Sequence, residues 1–429
     1  MTSRSMTPAP ERAALVSLTT GSSNRVDPEL LLEELSGLAS AAGAAVVLRA
    51  VQERQSPDPA TLIGSGKAEQ LAKACDEAGA AVVIVDNDLS PAQGRNLEKI
   101  LGRRVIDRTQ LILDIFARRA RTREGKLQVE LAQLQYLMPR LVGSSEALSR
   151  LGGGIGTRGP GETKLETDRR GIRHRIAKLR REIAEVQKRR GHLRARRARR
   201  DVPTVALVGY TNAGKTTLFN ALTGGDAVAS NALFVTLDPL VRKVKLPDKR
   251  QILLSDTVGF IDRLPHQLVA AFQATLEEVA GANLLLHLAD ASVQDRERRD
   301  AAVRSVLTEV GAGEVPTLVV FNKCDLLSHD ELTRLKSMYP AAVFVSALHG
   351  MGQSDLLDII ASRLEMDTTV VRLTFDPDSA EHRKAIADLY RQARVLTHVA
   401  IEDRVMIDAE VPRRLLERLS RVVRVQVPG

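Results

Sequence analysis

TVALVGYTNAGKTTLFNAL, residues 204–222, decides the fold. It opens on a short apolar run that reads as a buried strand and closes on a helical pattern. Between them stands Gly209-x4-Gly214-Lys215-Thr216, the strand–loop–helix context that a phosphate-binding loop requires. The glycines let the backbone curl so that successive N–H groups and the helix N-terminus face an anion. Lys215 adds a cation for the β- and γ-phosphates, and the Thr216 hydroxyl is a ligand for Mg²⁺. Nucleotide contacts are expected from Gly209, Asn212, Ala213, Gly214, Lys215, Thr216 and Thr217.

Further motifs follow in order. The strand QILLS leads into Asp256-Thr257-Val258-Gly259. A carboxylate there can hold the Mg²⁺ shell and a glycine three residues on can donate to the γ-phosphate, although D-x-x-G alone reads as readily as a turn. After TLVVF stands Asn322-Lys323-Cys324-Asp325. The Asp325 carboxylate can accept from the N1–H and N2–H₂ edge of guanine; adenine has no such donor pair, so the motif selects GTP. Ser346-Ala347, after a further strand, fits the backbone contact to guanine O6. Each motif ends a strand, where open α/β sheets bind ligands. The apolar runs Thr204–Val208, Gln251–Ser255, Leu284–Leu288, Thr317–Phe321 and Val343–Val345 predict a doubly wound parallel sheet within residues 201–367.

The flanks read differently. Residues 1–12 look like a flexible tail. In 13–120, strands at Ala45–Val51, Ala81–Asp86 and Arg104–Ile106 alternate with helices at Ala68–Ala78 and Pro91–Leu101, a small parallel α/β domain. In 121–200, Leu127, Leu131, Leu134, Met138 and Leu141 form one helical stripe. Leu165, Ile172, Ile176, Leu179, Ile183, Val186 and Leu193 form a second, at heptad spacings. GGGIGTRGPG (152–161) lies between them, so the segment predicts a coiled-coil hairpin with a glycine-rich tip. Residues 368–429 read strand, helix, hairpin, helix, strand: a small α+β domain.

The 429 residues, 44% hydrophobic and 27% charged, suit several soluble domains. Eight Phe, four Tyr and no Trp exclude a nucleic-acid reader built on aromatic platforms. No apolar run is long enough for a membrane span, and two cysteines exclude a disulfide framework. The chain therefore reads as cytoplasmic. Net charge is +9, yet Arg169–Arg200 alone carries fifteen Lys/Arg against Glu182 and Glu185. The remainder is thus mildly acidic. A charge run is often a solvated helix face; seven Arg without an acid across 189–200 favour a polyanion.

The ordered nucleotide motifs resemble those of translation-factor-like GTPases. The longer runs GGIGTRGPGETKLETDRR, GYTNAGKTTLFNAL, LFVTLDP, DTVGFI, LPHQLVAAFQATLEE and VSALHGMG are similar to the HflX family of ribosome-associated GTPases, across roughly residues 13–365. The resemblance implies a GTP-binding and GTP-hydrolysing factor that associates with the large ribosomal subunit and splits stalled ribosomes. It implies that Thr236, in LFVTLDP, closes over Mg²⁺ and the γ-phosphate, so that Lys215, Thr236 and Gly259 serve catalysis and Thr216, Thr236 and Asp256 serve the metal. It also suggests K⁺ at Asn212, where the alternative is an asparagine capping its own turn. Ribosomal RNA contacts then fall to Arg194, Arg196, Arg197, Arg199 and Arg200, on a protein expected to act as a monomer with a peripheral membrane fraction.

Phe260 departs from the usual pattern, standing where a water-positioning Gln is common. Hydrolysis should be slow until the ribosome or a rearranged switch places the water; Phe260 also reads as a plain hydrophobic anchor. GSGK at 64–67 resembles the end of a phosphate loop, but Thr61 replaces its first glycine. An assembly GTPase on immature large subunits, or an RNA-binding module with a regulatory GTPase domain, are the competing readings.

Overall fold

The computed structural model describes residues 10–21, 27–141, 160–198, 202–225, 233–237, 239–263, 276, 278–364, 368–401 and 404–426. The chain divides into two units. The first is Met1–Arg189 with Ser230–Asp238 and Arg263–Ala274; the second is Arg190–Ala229 with Pro239–Asp262 and Thr275–Gly429.

The first unit holds four parallel strands, β1 (Glu11–Thr20), β2 (Ala44–Arg54), β3 (Val82–Val85) and β4 (Arg104–Asp107), in the order β2-β1-β3-β4. Strand β1 was not among the three anticipated, and it corrects the tail assigned to residues 1–12. Glu11 and Arg12 pair with Ala44 and Ala45, and the Arg12 guanidinium donates to the carbonyls of Ala78 (2.7 Å) and Gly79 (3.1 Å). Residues 1–9 lie outside the described residues. The sheet packs with α1 (Pro28–Ala41), α2 (Ser65–Ala78), α3 (Pro91–Leu101) and α4 (Arg108–Arg119). Local chemistry sets these starts. Ser90 and Gln93 form a reciprocal capping box that spans Pro91, the first helical residue, and Asp107 ends β4 while capping α4 through Gln110 N (2.8 Å).

The same Asp107 accepts from Tyr136 Oη (2.8 Å) and Arg140 Nη2 (2.7 Å), which ties α5 (Arg123–Arg140) to the sheet. Burial, the Asp107 charge and its hydrogen bond all push the Tyr136 phenol up, so it stays a donor. Helix α5 pairs with α6 (Pro160–Ala198) through Leu127, Leu131, Ile176, Leu179 and Ile183. Glu130 meets Arg175 and Arg123 meets Glu182, so the helices run antiparallel. Burial of each aliphatic side chain stabilises by about 1.5–3 kcal/mol; the exposed ion pairs contribute direction instead. With 39 residues, α6 extends about 58 Å at 1.5 Å per residue. The glycine-rich tip expected at 152–161 falls outside the described residues as far as 159.

In the second unit, β5 (Thr204–Gly209), β6 (Leu240–Lys245), β7 (Gln251–Asp256), β8 (Leu284–Asp290), β9 (Thr317–Asn322) and β10 (Val343–Phe344) form one sheet, ordered β10-β9-β8-β5-β7-β6. It is parallel except at its edge, where the unanticipated β6 runs antiparallel to β7. That strand reads LVRKVK, mostly exposed, a charged edge that discourages further pairing. The helices are α7 (Lys215–Thr223), α8 (Arg296–Glu309), α9 (His329–Met338) and α10 (Gln353–Arg363); Leu207, Phe219, Leu254, Leu286 and Val320 lie in the core between the layers.

The chain then runs β11 (Thr368–Phe375), α11 (Ala380–Gln392), β12 (Arg394–Ile401), β13 (Arg404–Pro412), α12 (Arg413–Leu419) and β14 (Arg424–Gln426). These strands form an antiparallel sheet in the order β12-β13-β11-β14, a split βαβ arrangement. Among the described residues, no helix is long and apolar enough to cross a membrane.

Candidate functional site

The loop after β5 needs its glycines for steric reasons. At Gly209 (φ 150°) a Cβ would lie 2.3 Å from Leu288 O, and at Gly214 (φ 92°) 2.2 Å from Asn322 Nδ2. Only glycine lets the loop approach its neighbours this closely. Gly214 leads into α7 without a side-chain cap, a helix start open to an anion.

Inside the loop, Lys215 Nζ donates to the carbonyls of Gly209 (3.0 Å) and Tyr210 (2.8 Å). Burial lowers the ammonium from 10.5 to about 8, against the upward pull of the Asp256 charge. Thr216 Oγ1 donates to Asp256 Oδ2 at 2.8 Å, at the end of β7. Two backbone bonds hold the following segment to the loop: Phe260 N to Gly209 O (3.1 Å) and Thr211 N to Phe260 O (2.7 Å). Gly259 consequently lies against Thr211 and Lys215. The Phe260 ring is fully buried, so it anchors the segment and presents no polar group to a nucleophile.

Asn322 joins the remaining motifs. Its Nδ2 donates to Ala213 O and its Oδ1 accepts from Ala347 N, both at 2.9 Å. Lys323 has a left-handed backbone (φ 64°) and its ammonium meets Asp290 Oδ2 at 2.6 Å. Asp325 lies in the middle of a short 3₁₀ turn (Cys324–Leu326), and Ser346 is fixed by its N–H to Met351 O (3.0 Å). Beneath the loop, Tyr210, Thr211, His287 and Asp300 line a cavity of about 20 Å³. Burial favours neutral His287, although Asp300 stands 3.2 Å from its Nδ1.

The second unit thus brings together the residues read from Gly209 to Thr217, with Asp256, Gly259, Asn322, Lys323, Asp325, Ser346 and Ala347. Asn212 is exposed there with φ 61°. Thr236 belongs instead to the first unit, between buried Phe234 and Leu237. Arg194, Arg196 and Arg197 lie on α6, with side chains outside the described residues; Arg199 and Arg200 lie outside them altogether. At the GSGK segment, Arg54 packs over the turn, donating to Ile63 O (3.3 Å) and Ser56 O (3.2 Å). Sequence reasoning missed Asp290 and Tyr210, whose hydroxyl accepts from Asp262 N at 2.9 Å. Asp290 was findable, because it ends β8 as Asp256 ends β7.

Three family descriptions match the chain: "GTP-binding GTPase N-terminal" over residues 29–117, "GTP-binding GTPase Middle Region" over 119–197, and "50S ribosome-binding GTPase" over 204–323. GTPase HflX of Caldanaerobacter subterraneus subsp. tengcongensis is 45% identical over 413 residues, covering 96% of this chain and 94% of that protein. GTPase HflX of Escherichia coli is 48% identical over 360 residues, 83% and 84% of the two chains. A GTP-binding protein from the hyperthermophilic archaeon Sulfolobus solfataricus, solved in complex with GDP, is 26% identical over 82% of this chain and 98% of its own, with a TM-score of 0.44.

The lowered Lys215 gives a pH-dependent signature. Its neutral form is favoured in the empty loop above about pH 8, and bound phosphates would restore the charge. GDP binding at about pH 8.5 is therefore expected to take up a substantial fraction of a proton, and affinity to fall as pH rises through 8. Calorimetry in buffers of different ionisation enthalpy measures this directly; binding heats independent of the buffer would remove the assignment.

Proposed function

The chain belongs to the HflX family of GTPases, and on that premise we propose that it binds the large ribosomal subunit and splits stalled ribosomes, with GTP as the timer. It is a GTP-binding enzyme that hydrolyses GTP. The observation that carries the proposal is the union, in one chain, of the linked loops at Gly209–Thr217, Asp256 and Asn322 with a helix about 58 Å long. That helix carries most of the fifteen Lys/Arg of Arg169–Arg200. The match to a 50S ribosome-binding GTPase supports the partner.

In this reading, Gly209–Thr217 hold the phosphates, Lys215 neutralises the β- and γ-groups, and Asp325 with Ser346 and Ala347 reads guanine. The Thr216 hydroxyl beside the fully buried Asp256 carboxylate supplies the oxygen donors that a hard cation prefers. These two residues would hold Mg²⁺, which neutralises developing charge on the phosphates when bound. Gly259 donates to the γ-phosphate. Phe260 cannot orient water, so turnover is slow until the ribosome rearranges the segment. The basic helix contacts phosphates of ribosomal RNA, and recognition is of shape more than sequence. The protein acts in the cytoplasm as a monomer.

Three outcomes follow. Light scattering of intact ribosomes is expected to fall with GTP and with a non-hydrolysable analogue, but not with GDP. Steady scattering despite co-sedimentation with large subunits would favour the assembly reading, and loss with GTP alone would make hydrolysis the driver. Neutralising Arg194, Arg196, Arg197, Arg199 and Arg200 should weaken subunit binding and flatten its salt dependence, roughly one unit of slope per lost phosphate contact. An unchanged slope excludes these arginines. GTP turnover should require Mg²⁺ and run faster in KCl than in NaCl; equal rates in the two salts leave Asn212 as a turn residue only.

A further inference from the structure

The loop that follows β10 carries a side chain that none of the roles above uses. His349 Nε2 stands 3.7 Å from Asp325 Oδ2. The placement is built by the loop itself. Ser346 N donates to Met351 O (3.0 Å), His349 N donates to Ser346 Oγ (3.3 Å), and Gly350 and Gly352 turn the chain through left-handed φ values of 75° and 72°. The imidazole beside Asp325 remains 62% exposed.

The charge environment leaves this pair isolated. Lys323, two residues before Asp325, spends its ammonium on Asp290. Cys324 is buried, which pushes its thiol up and keeps it neutral. Lys336 of α9 reaches over the Phe344 ring, 5.8 Å from its centroid. Among the described residues, His349 is the only cationic partner of Asp325.

Guanine recognition asks the Asp325 carboxylate to accept two hydrogen bonds from the base. An imidazolium 3.7 Å from Oδ2 draws electrostatically on the same carboxylate. We propose that His349 is a positioning residue that competes with guanine for Asp325, pairing with the carboxylate in the empty pocket and withdrawing when the base arrives. The inference rests on the assignment of Asp325 as the guanine-reading carboxylate. Only a protonated imidazole carries the charge that draws the carboxylate, so acid favours the competition and alkali removes it. An exposed ion pair is weak; the effect is therefore a modulation of affinity and leaves the choice of base to Asp325.

The test is GDP affinity of the full-length protein between about pH 5.5 and 8.0, for wild type, His349→Gln and His349→Ala. Wild type should lose roughly two- to five-fold more affinity on acidification than either variant, and the three should converge at the alkaline end. A merely structural His349 would shift affinity at every pH; parallel profiles overturn the proposal. Asp325→Asn, assayed at about pH 8, separates the two assignments, because it should exchange GDP for XDP as ligand. If Asp325→Asn keeps its preference for GDP, the guanine assignment has failed. If it turns to XDP while the wild-type and His349 profiles stay parallel, His349 alone has failed.

Discussion

One carboxamide sets the register of the candidate site. Asn322, 2% exposed at the end of β9, donates to the loop after β5 and accepts from the loop after β10. The loop after β5 is also held by Phe260, and the loop after β10 by backbone bonds to the end of β9, but Asn322 is the side chain that bonds to both. A buried amide with both ends satisfied is worth more than an exposed pair, because losing one partner leaves the other desolvated and unpaired. On the proposed function, the grip on phosphates and the reading of a base would be coupled through this side chain. Their energies should not be treated as additive.

Much of this was legible in the chain because it is local. A glycine-bounded loop between a strand and a helix, a carboxylate ending a strand and an amide ending another are each written in a few consecutive residues. What was not legible depends on partners distant in sequence. The Lys323–Asp290 pair spans two strands, and nothing in either segment announces it. Strand β1 went unread because Ala13–Leu18 is buried on both faces, so its apolar run lacks the alternation of a half-buried strand. Strand β6 went unread for the opposite reason, since Arg242, Lys243 and Lys245 mask its two valines. Heptad spacing, by contrast, picked out Leu127, Leu131, Ile176, Leu179 and Ile183 of the packed seam, because a repeat of apolar residues at helical spacing is local.

The polar interior of the first unit has a different character. Arg108 pairs with Asp86 Oδ1 (2.9 Å) and with Glu34, all three nearly inaccessible to water. Asp86 also receives Arg263 at 2.6 Å. Burying such a cluster adds little net stability, but removing one member strands the others, at about 3–5 kcal/mol. Phe234 is held by apolar means, its ring edge-on to Phe116 with centroids 4.7 Å apart.

Phe234 and Arg263 come from Ser230–Asp238 and Arg263–Ala274, segments that belong with the first unit although the sequence on either side of them belongs with the second. The two units are thus interleaved along the gene, not placed end to end. A fragment ending at Arg189 would keep Phe116 and Asp86 but lose the side chains that complete their surroundings. No single cut releases either unit whole. A boundary drawn at Arg189 from sequence alone would therefore separate Phe234 and Arg263 from the unit they pack with.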